Sequence, residues 1–478
     1  MCAVGRALPR LMVAVALAAT TGCMPAVRQA FDARATPLTP FGARASDAAL
    51  RRLLATGAAE AAVDALGTGR ARRPAVADRS LRPTGDRLLD DLLVGATAFY
   101  AGRYATSQAA LAAADEAAEQ RRTRSLTREA TALLTNDAAR PYLPSRTERT
   151  LIPYYALLGF LERRDLEGAT VEARRLAQRL EETEDQASDA ERSLRASLRL
   201  LTASVFDAAG EPNDAAVARR HVARLTGDTA WGTARAPLTA DSIDLLVIVE
   251  QGFVPHRLTQ VAWLGQGDAL DERWTTRATA AIAGDPDGGV FGLGRWGDRS
   301  WWWGDRGWAG PGEGTVVAWP VLAPLGTEGA PPIPRIGGPT RAAVTGSLAA
   351  AIVAEHRAAL PALLLRAAAR AGARQAAIAA ARRSPRHRGV LTAVATLGAL
   401  AFEQADLRSW SVLPARIGVL PLRLPATASD VTIEVGGRTH RLAGTRVTSA
   451  LRLAHLRLFD DDPSRPLPFI PLTALLGR

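Results

Sequence analysis

Lysine is missing from this chain of 478 residues: every one of its 59 basic residues is arginine. Cysteine is nearly missing too, with Cys2 and Cys23 alone. A framework of several disulfides is therefore excluded, and a Cys-based metal cluster with it. Aromatics make up only 5% of the residues. The six histidines, at 221, 256, 356, 387, 440 and 455, are scattered, with no H-E-x-x-H pair; neither a metal nor any other cofactor is expected. No G-x-S-x-G or S-x-x-K nucleophile motif is present. An arginine-only basic set beside 41 Gly and 29 Pro reads as coding bias. The net charge of +11 is then a weak pointer to nucleic acid, and none is expected as a partner. Beyond the first 22 residues no membrane-spanning segment is expected. Residues 389–402 are apolar but only 14 long, where about 20 are needed.

What is present begins at the N-terminus. Arg6 and Arg10 precede an apolar run from Leu11 to Ala19, and Ala19-Thr20-Thr21-Gly22-Cys23 follows. That is the layout of a secretion signal: charged start, apolar middle, small residues at the cut. A cysteine at the next position resembles a lipobox, with Cys23 the acylated first residue of the mature chain. Thr20 stands where Leu is usual, and an ordinary signal peptide is the alternative. Cleavage would remove Cys2 and two arginines, leaving +9 and one cysteine. The expected location is the periplasmic face of a membrane, with lipid at Cys23 as the anchor. Met24 after the cysteine favours the outer membrane in a diderm cell.

Residues 1–22 thus read as signal and 23–84 as tether and linker, with a short helix at about 46–66. From 85 to 226 the apolar spacing turns helical: Leu88, Leu89, Leu92, Leu93, Ala96 and Phe99 share one face. Three strings combine an aromatic, a tight turn and a small residue. They are Phe99 to Ser107, Phe160 to Ala169, and Phe206 to Ala215, with small residues spaced by 62 and 46. They resemble tetratricopeptide hairpins without the regular period of an array; a generic helical bundle is the alternative. From 240 to 460 the pattern is α+β. Strands are expected at 244–250, pairing with 258–264, and at 314–320, 417–424, 431–435, 438–442 and 450–458. Gly436-Gly437 reads as a hairpin turn, and 345–381 as a helix. A Gly- and Trp-rich insert fills 265–313, and 461–478 is a tail. The expected fold is mixed: a helical-hairpin N-terminal domain, then an α+β domain with a small antiparallel sheet.

Five strings, in this order and spacing, resemble a family of uncharacterised bacterial lipoproteins. They are Glu148-Arg-Thr-Leu-Ile-Pro-Tyr-Tyr-Ala-Leu157, Val171-Glu-Ala-Arg-Arg175, Val249-Glu-Gln-Gly-Phe-Val-Pro-His-Arg257, Leu360-Pro-Ala-Leu-Leu-Leu-Arg-Ala367 with Arg370, and Glu403-Gln-Ala-Asp-Leu-Arg-Ser-Trp410 ending in Leu413-Pro414. The resemblance spans about 90–440. It implies a tetratricopeptide-like half joined to an α+β half and an accessory role in the envelope, with no reaction attached. The Trp-rich insert departs from that pattern.

Candidate sites follow from residue chemistry. Glu148, Arg149, Tyr154 and Tyr155 could line a helical groove for a protein partner; interhelix packing is the alternative. Glu250 and His256 flank a turn and have the chemistry for acid–base work, or simply close a strand. Asp406, Arg408 and Trp410 could hold a small anion over an apolar floor, or brace the chain between helix and sheet. In the insert, Trp296, Trp301, Trp302, Trp303 and Trp308 among arginines suit a lipid or glycan contact; a low-complexity insertion is the alternative. The function expected is a lipid-anchored, non-catalytic, protein-binding scaffold with an envelope protein as partner. A hydrolase or transferase acting on cell-wall or lipid material, and a plain spacer, are the alternatives.

Overall fold

The computed structural model describes residues 44–67, 84–125, 140–184, 187–233, 235, 238–265, 314–322, 343–382, 405–427, 430–435 and 438–459. Cys23, the linker from 68 to 83, the body of the Trp-rich insert, the 389–402 stretch and the tail lie outside them. The fold is mixed, with helices through the first half and a small sheet beside one long helix in the second.

The helical half is a series of hairpins: α1 (Ala45–Ala55) with α2 (Ala59–Gly67), α3 (Arg87–Tyr100) with α4 (Tyr104–Ser125), α5 (Arg146–Glu162) with α6 (Leu166–Glu182), and α7 (Asp189–Ala208) with α8 (Pro212–Thr226). Every hairpin loop is three residues long. Its middle residue is left-handed: Gly57 (φ 77°), Gly102 (71°), Arg164 (63°) and Gly210 (75°). The closing bonds repeat as well. Gly102 N–H donates to Phe99 O and Arg103 N–H to Ala98 O, as Gly210 does to Asp207 O and Glu211 to Phe206 O. Such turns satisfy carbonyls that a helix end leaves open. Five residues past each left-handed residue comes a small side chain at the helix crossing. These are Ala62, Ser107, Ala169 and Ala215, all with no exposed surface. At one crossing Ser107 Oγ donates to Gly95 O at 2.7 Å, and a Cβ on Gly95 would lie 2.6 Å from Leu111 Cδ2.

The first hairpin corrects the expectation of a single helix at 46–66 within a tether. Gly57 breaks that helix, and Leu50, Leu54 and Ala62 are buried in the main core. Arg164 is the one non-glycine among the four turns. An L side chain there costs about 1–2 kcal/mol. Arg164→Gly is expected to stabilise the protein by about 1 kcal/mol, and Gly210→Ala to destabilise it by a similar amount. The midpoint of urea unfolding reads both.

The central sheet has the order β4 (Val344–Ser347), β5 (Arg416–Pro425), β1 (Ser242–Gln251), β9 (Leu451–Leu458), β8 (Thr445–Arg446). β1 lies antiparallel to β5 but parallel to β9, with Glu250 opposite Arg457. The sheet is therefore mixed rather than antiparallel. β1 carries a continuous apolar run, Leu245 to Val249, buried on both faces, and such a strand belongs in the middle of a sheet. The expected pairing of β1 with β2 (Arg257–Gly265) is not formed, because β5 and β9 flank β1 on both sides. β2 instead forms a separate ribbon with β3 (Gly314–Leu322). The third sheet pairs β6 (Asp430–Val435) with β7 (Arg438–Ala443), Val435 opposite Arg438; the turn expected at 436–437 lies outside the described residues.

The long helix α9 (Leu348–Arg382) follows β4 directly. Its Leu348–Ala367 stretch is apolar and long enough to cross a bilayer by length and composition. Leu348, Ala351, Leu364 and Ala367 on it are buried in protein. α7 packs against β4, β5 and α9, and α5 also touches α9. At Gly346 of β4 an added Cβ would lie 2.4 Å from Leu194 Cα of α7. One hydrophobic core runs through both halves: Leu88, Leu157 and Leu201 share it with Leu246, Ile248, Trp410, Ile417 and Leu453. The sheet-side helices α5 and α7 are thus packed on the chain's own second half.

Candidate functional site

Strand alternation sets the first polar cluster. Leu246, Ile248 and Glu250 point from β1 into the main core, while Leu245, Val247 and Val249 form the core of the opposite face. On β9, His455 and Arg457 fall two apart, on the face that Glu250 occupies. Glu250 has no exposed surface. Its Oε1 accepts from Tyr154 Oη at 2.9 Å. Its Oε2 accepts from Tyr100 Oη at 2.9 Å and meets His455 Nε2 at 3.1 Å. Arg457 Nε lies 3.9 Å away. Tyr100 has one hydroxyl proton, used on Glu250, so Tyr155 donates to Tyr100 across their 2.7 Å contact.

Burial pushes the Glu250 carboxyl up, but His455, Arg457 and Tyr100 together hold it below the usual carboxylate value. Burial and the Glu250 charge drive the phenols of Tyr100, Tyr154 and Tyr155 upward, so they stay protonated donors. Arg457 is held in turn. Nη2 donates to Gly252 O at 2.6 Å, and its guanidinium lies 5.0 Å from the Phe253 ring centre and 4.6 Å from Phe459. The cluster joins the end of α3, the middle of α5, and strands β1 and β9.

His256 is not part of it. Burial and the nearby Arg51 cation hold its imidazole well below the usual value. Glu250 pairs with His455 instead, from a strand 205 positions away. The Glu250–His256 pair expected across a tight turn is not formed.

A second polar cluster sits at the other end of α3, about 20 Å away at 1.5 Å per residue. Asp86 is the N-cap of that helix and accepts from Leu88 N at 3.0 Å. It also accepts from Arg121 Nη1 at 2.8 Å and Tyr142 N at 2.8 Å. Asp406 and Arg408 pair as a fork, with Arg408 Nε 2.8 Å from Oδ1 and Nη2 2.9 Å from Oδ2. Arg408 then donates to Arg140 O at 2.6 Å and reaches Asp86 at 3.7 Å. Trp410 is fully buried. Arg408 thereby ties the segment before β5 to the helical half.

The expected partner groove is placed inside the molecule. Tyr154 and Tyr155 have no exposed surface, and Glu148 is buried. Glu148 closes a capping box with Ser145 at the start of α5 and accepts from Trp410 N at 3.0 Å. Arg149 pairs with Glu119 of α4. These four residues do not line an open groove. The amphipathic pattern shows that such residues meet something. It does not distinguish a partner from the chain's own sheet.

An open cleft of about 470 Å³ lies elsewhere, between the start of α7, the end of α8 and β4, with Trp231, Asp189, Arg192 and Asp228 among its lining. None of the residues singled out from sequence reaches it. Among the described residues no three His, Cys, Asp or Glu side chains converge as a metal site would require. The fold and its clusters define a mixed protein whose helical hairpins are sealed onto a sheet by buried polar ties. No family model, no curated protein and no solved structure matches the chain.

Proposed function

We propose that the protein is a lipid-anchored envelope protein acting as a non-catalytic scaffold for another envelope protein. Its helical half is read as tetratricopeptide-like and its anchor as Cys23. The observation that carries this reading is the fourfold recurrence of one hairpin plan, turn and crossing residue included. Helical hairpins of this kind serve chiefly to present surface. With α5 and α7 packed on the sheet, the outer helices α6 and α8 offer surface to a partner, and Val171 and Val217 on them are 49% and 40% exposed. The hydrolase reading has less support. Glu250 and Asp406 spend their acceptor positions on internal donors, at opposite ends of one helix.

Labelling with an alkynyl fatty acid tests the anchor: label on the wild type and none on Cys23→Ala is expected. Label absent from both would remove the anchored reading. Crosslinking in cells then tests the scaffold. A specific partner lost in a Val171→Asp, Val217→Asp double variant is expected. No partner above an unrelated lipoprotein control would contradict it.

A further inference from the structure

β4 is an end strand of the central sheet, and it lines the cleft between α7 and α8. The hydrogen-bond phase of the sheet says which of its backbone groups point there. Ala426 N–H donates to Asp241 O at 2.8 Å, just past Ser242 opposite Pro425. In an antiparallel ladder that makes Ser242 and Pro425 a non-bonded pair, and bonded pairs alternate from there. Arg416 and Gly418 therefore bond to β1, while Ile417 and Val419 turn to β4, opposite Gly346 and Val344. Thr345 is left with its N–H and C=O pointing off the sheet. Ser347, two residues on, has the same phase: its N–H donates outward to Ser193 Oγ of α7 at 3.4 Å. The outward N–H and C=O of Thr345 have no such partner among the described residues.

The cleft continues from that edge. Its volume of about 470 Å³ is in the range of ligand-binding clefts. Ala196 of α7 and Trp231 of the 3₁₀ turn Thr229–Gly232 are buried at its base, beside half-buried Leu225. Asp189, Arg192 and Asp228 stand exposed at its rim. Asp189 pairs with Arg192, and Asp228 spends Oδ1 on Ala230 N–H at 2.9 Å. Two carboxylates against one guanidinium leave the rim acidic, on a chain whose net charge is +11. α7 already underlies β4 at Gly346, so a strand added outside β4 would lie on the same helix layer.

We propose that this cleft takes an extended peptide of a partner protein, added as a strand to the open edge of β4 at Thr345. This goes beyond the scaffold reading and depends neither on its anchor nor on Val171 and Val217. Strand addition supplies affinity through main-chain bonds and specificity through alternate side chains. The open stretch is 343–345, because Ser193 closes the edge at Ser347. The added strand is therefore short, about three residues or roughly 10 Å. Its side chains level with Val344 point toward the base of the cleft, where Ala196, Leu225 and Trp231 fit an apolar group. A lysine or arginine two positions away meets the acidic rim.

Selection of a random heptapeptide phage library on the full chain tests this. Enrichment of peptides with an apolar residue two positions from a basic one is expected, and synthetic copies are expected to protect the Thr345 amide from hydrogen exchange. Thr345→Pro removes an N–H that the sheet does not use, a change edge strands accept. It is expected to weaken these peptides about 10-fold or more, with unchanged far-UV circular dichroism. Should that variant misfold, N-methylation of the peptide is the second arm, with binding lost at every second amide. No enriched peptide, equal binding to a folded Thr345→Pro, or N-methylation tolerated at every position would overturn the proposal. So would a Thr345 amide already protected in the free monomer, since the chain itself would then fill the edge. A dimeric wild type beside a monomeric Thr345→Pro would give the edge to a second copy and contradict the peptide.

Discussion

Glu250→Gln is expected to destabilise the protein by about 3–5 kcal/mol, the cost of removing one charge from a buried, hydrogen-bonded set. The amide preserves shape but removes the negative charge that Arg457 and His455 face. It also puts an N–H where Tyr154 or Tyr100 now donates, leaving donor against donor. Equilibrium denaturation by guanidinium, followed by far-UV circular dichroism, measures it. A loss below about 1 kcal/mol would show that the pair is near neutral in the fold. The same carboxylate has a pH signature. Its folded value lies below the ordinary one, so its stabilisation is present above about pH 4.5 and is lost as pH falls through the folded value. The slope of stability between pH 5 and 3 is expected to shrink in Glu250→Gln.

Asp86→Ala is expected to be similarly damaging, by about 3–5 kcal/mol. The side chain caps α3, which alone is worth about 1 kcal/mol. It also neutralises Arg121 and faces Arg408, which has little exposed surface. Asp86→Asn keeps the cap and loses the charge. The difference between the two variants therefore separates the helix-end contribution from the ion network. If Ala and Asn cost the same, the cap carries nothing separate and the charge is the whole effect. If Asn costs nothing, the network is idle and the cap alone matters.

Much of the architecture was legible because it is local. Turn, aromatic and small crossing residue sit within ten positions of each other, so Ser107, Ala169 and Ala215 could be read as hairpin crossings from sequence. The first hairpin was missed although Gly57 and Ala62 follow the same five-residue rule. An alanine-rich stretch shows weak apolar contrast, and that hid the break. Strand existence was legible for β5, β6, β7 and β9, and β6 and β7, close in sequence, do pair. Pairing across long separations was not. The continuous apolar run of β1 signals a central strand, yet nothing local names β5 and β9 as its neighbours. Local spacing therefore offers His256, six positions from Glu250, and gives no sign of His455, which comes from a strand 205 positions away. Tyr154 and Tyr155 show the same limit from the helical side. Their spacing marks a face that meets something, and the something is Glu250, nearly a hundred residues on. The Asp406–Arg408 contact was legible as a pair because two positions in an extended segment share a side.

The central claim is that the hairpins and the sheet are one cooperative body, sealed at both ends of α3. Differential scanning calorimetry, combined with hydrogen exchange on amides of α5, α7, β1 and β9, tests it most directly. One transition is expected, with these amides sharing a common opening free energy. Two transitions, with α3 to α8 opening independently of β1 and β9, would contradict it.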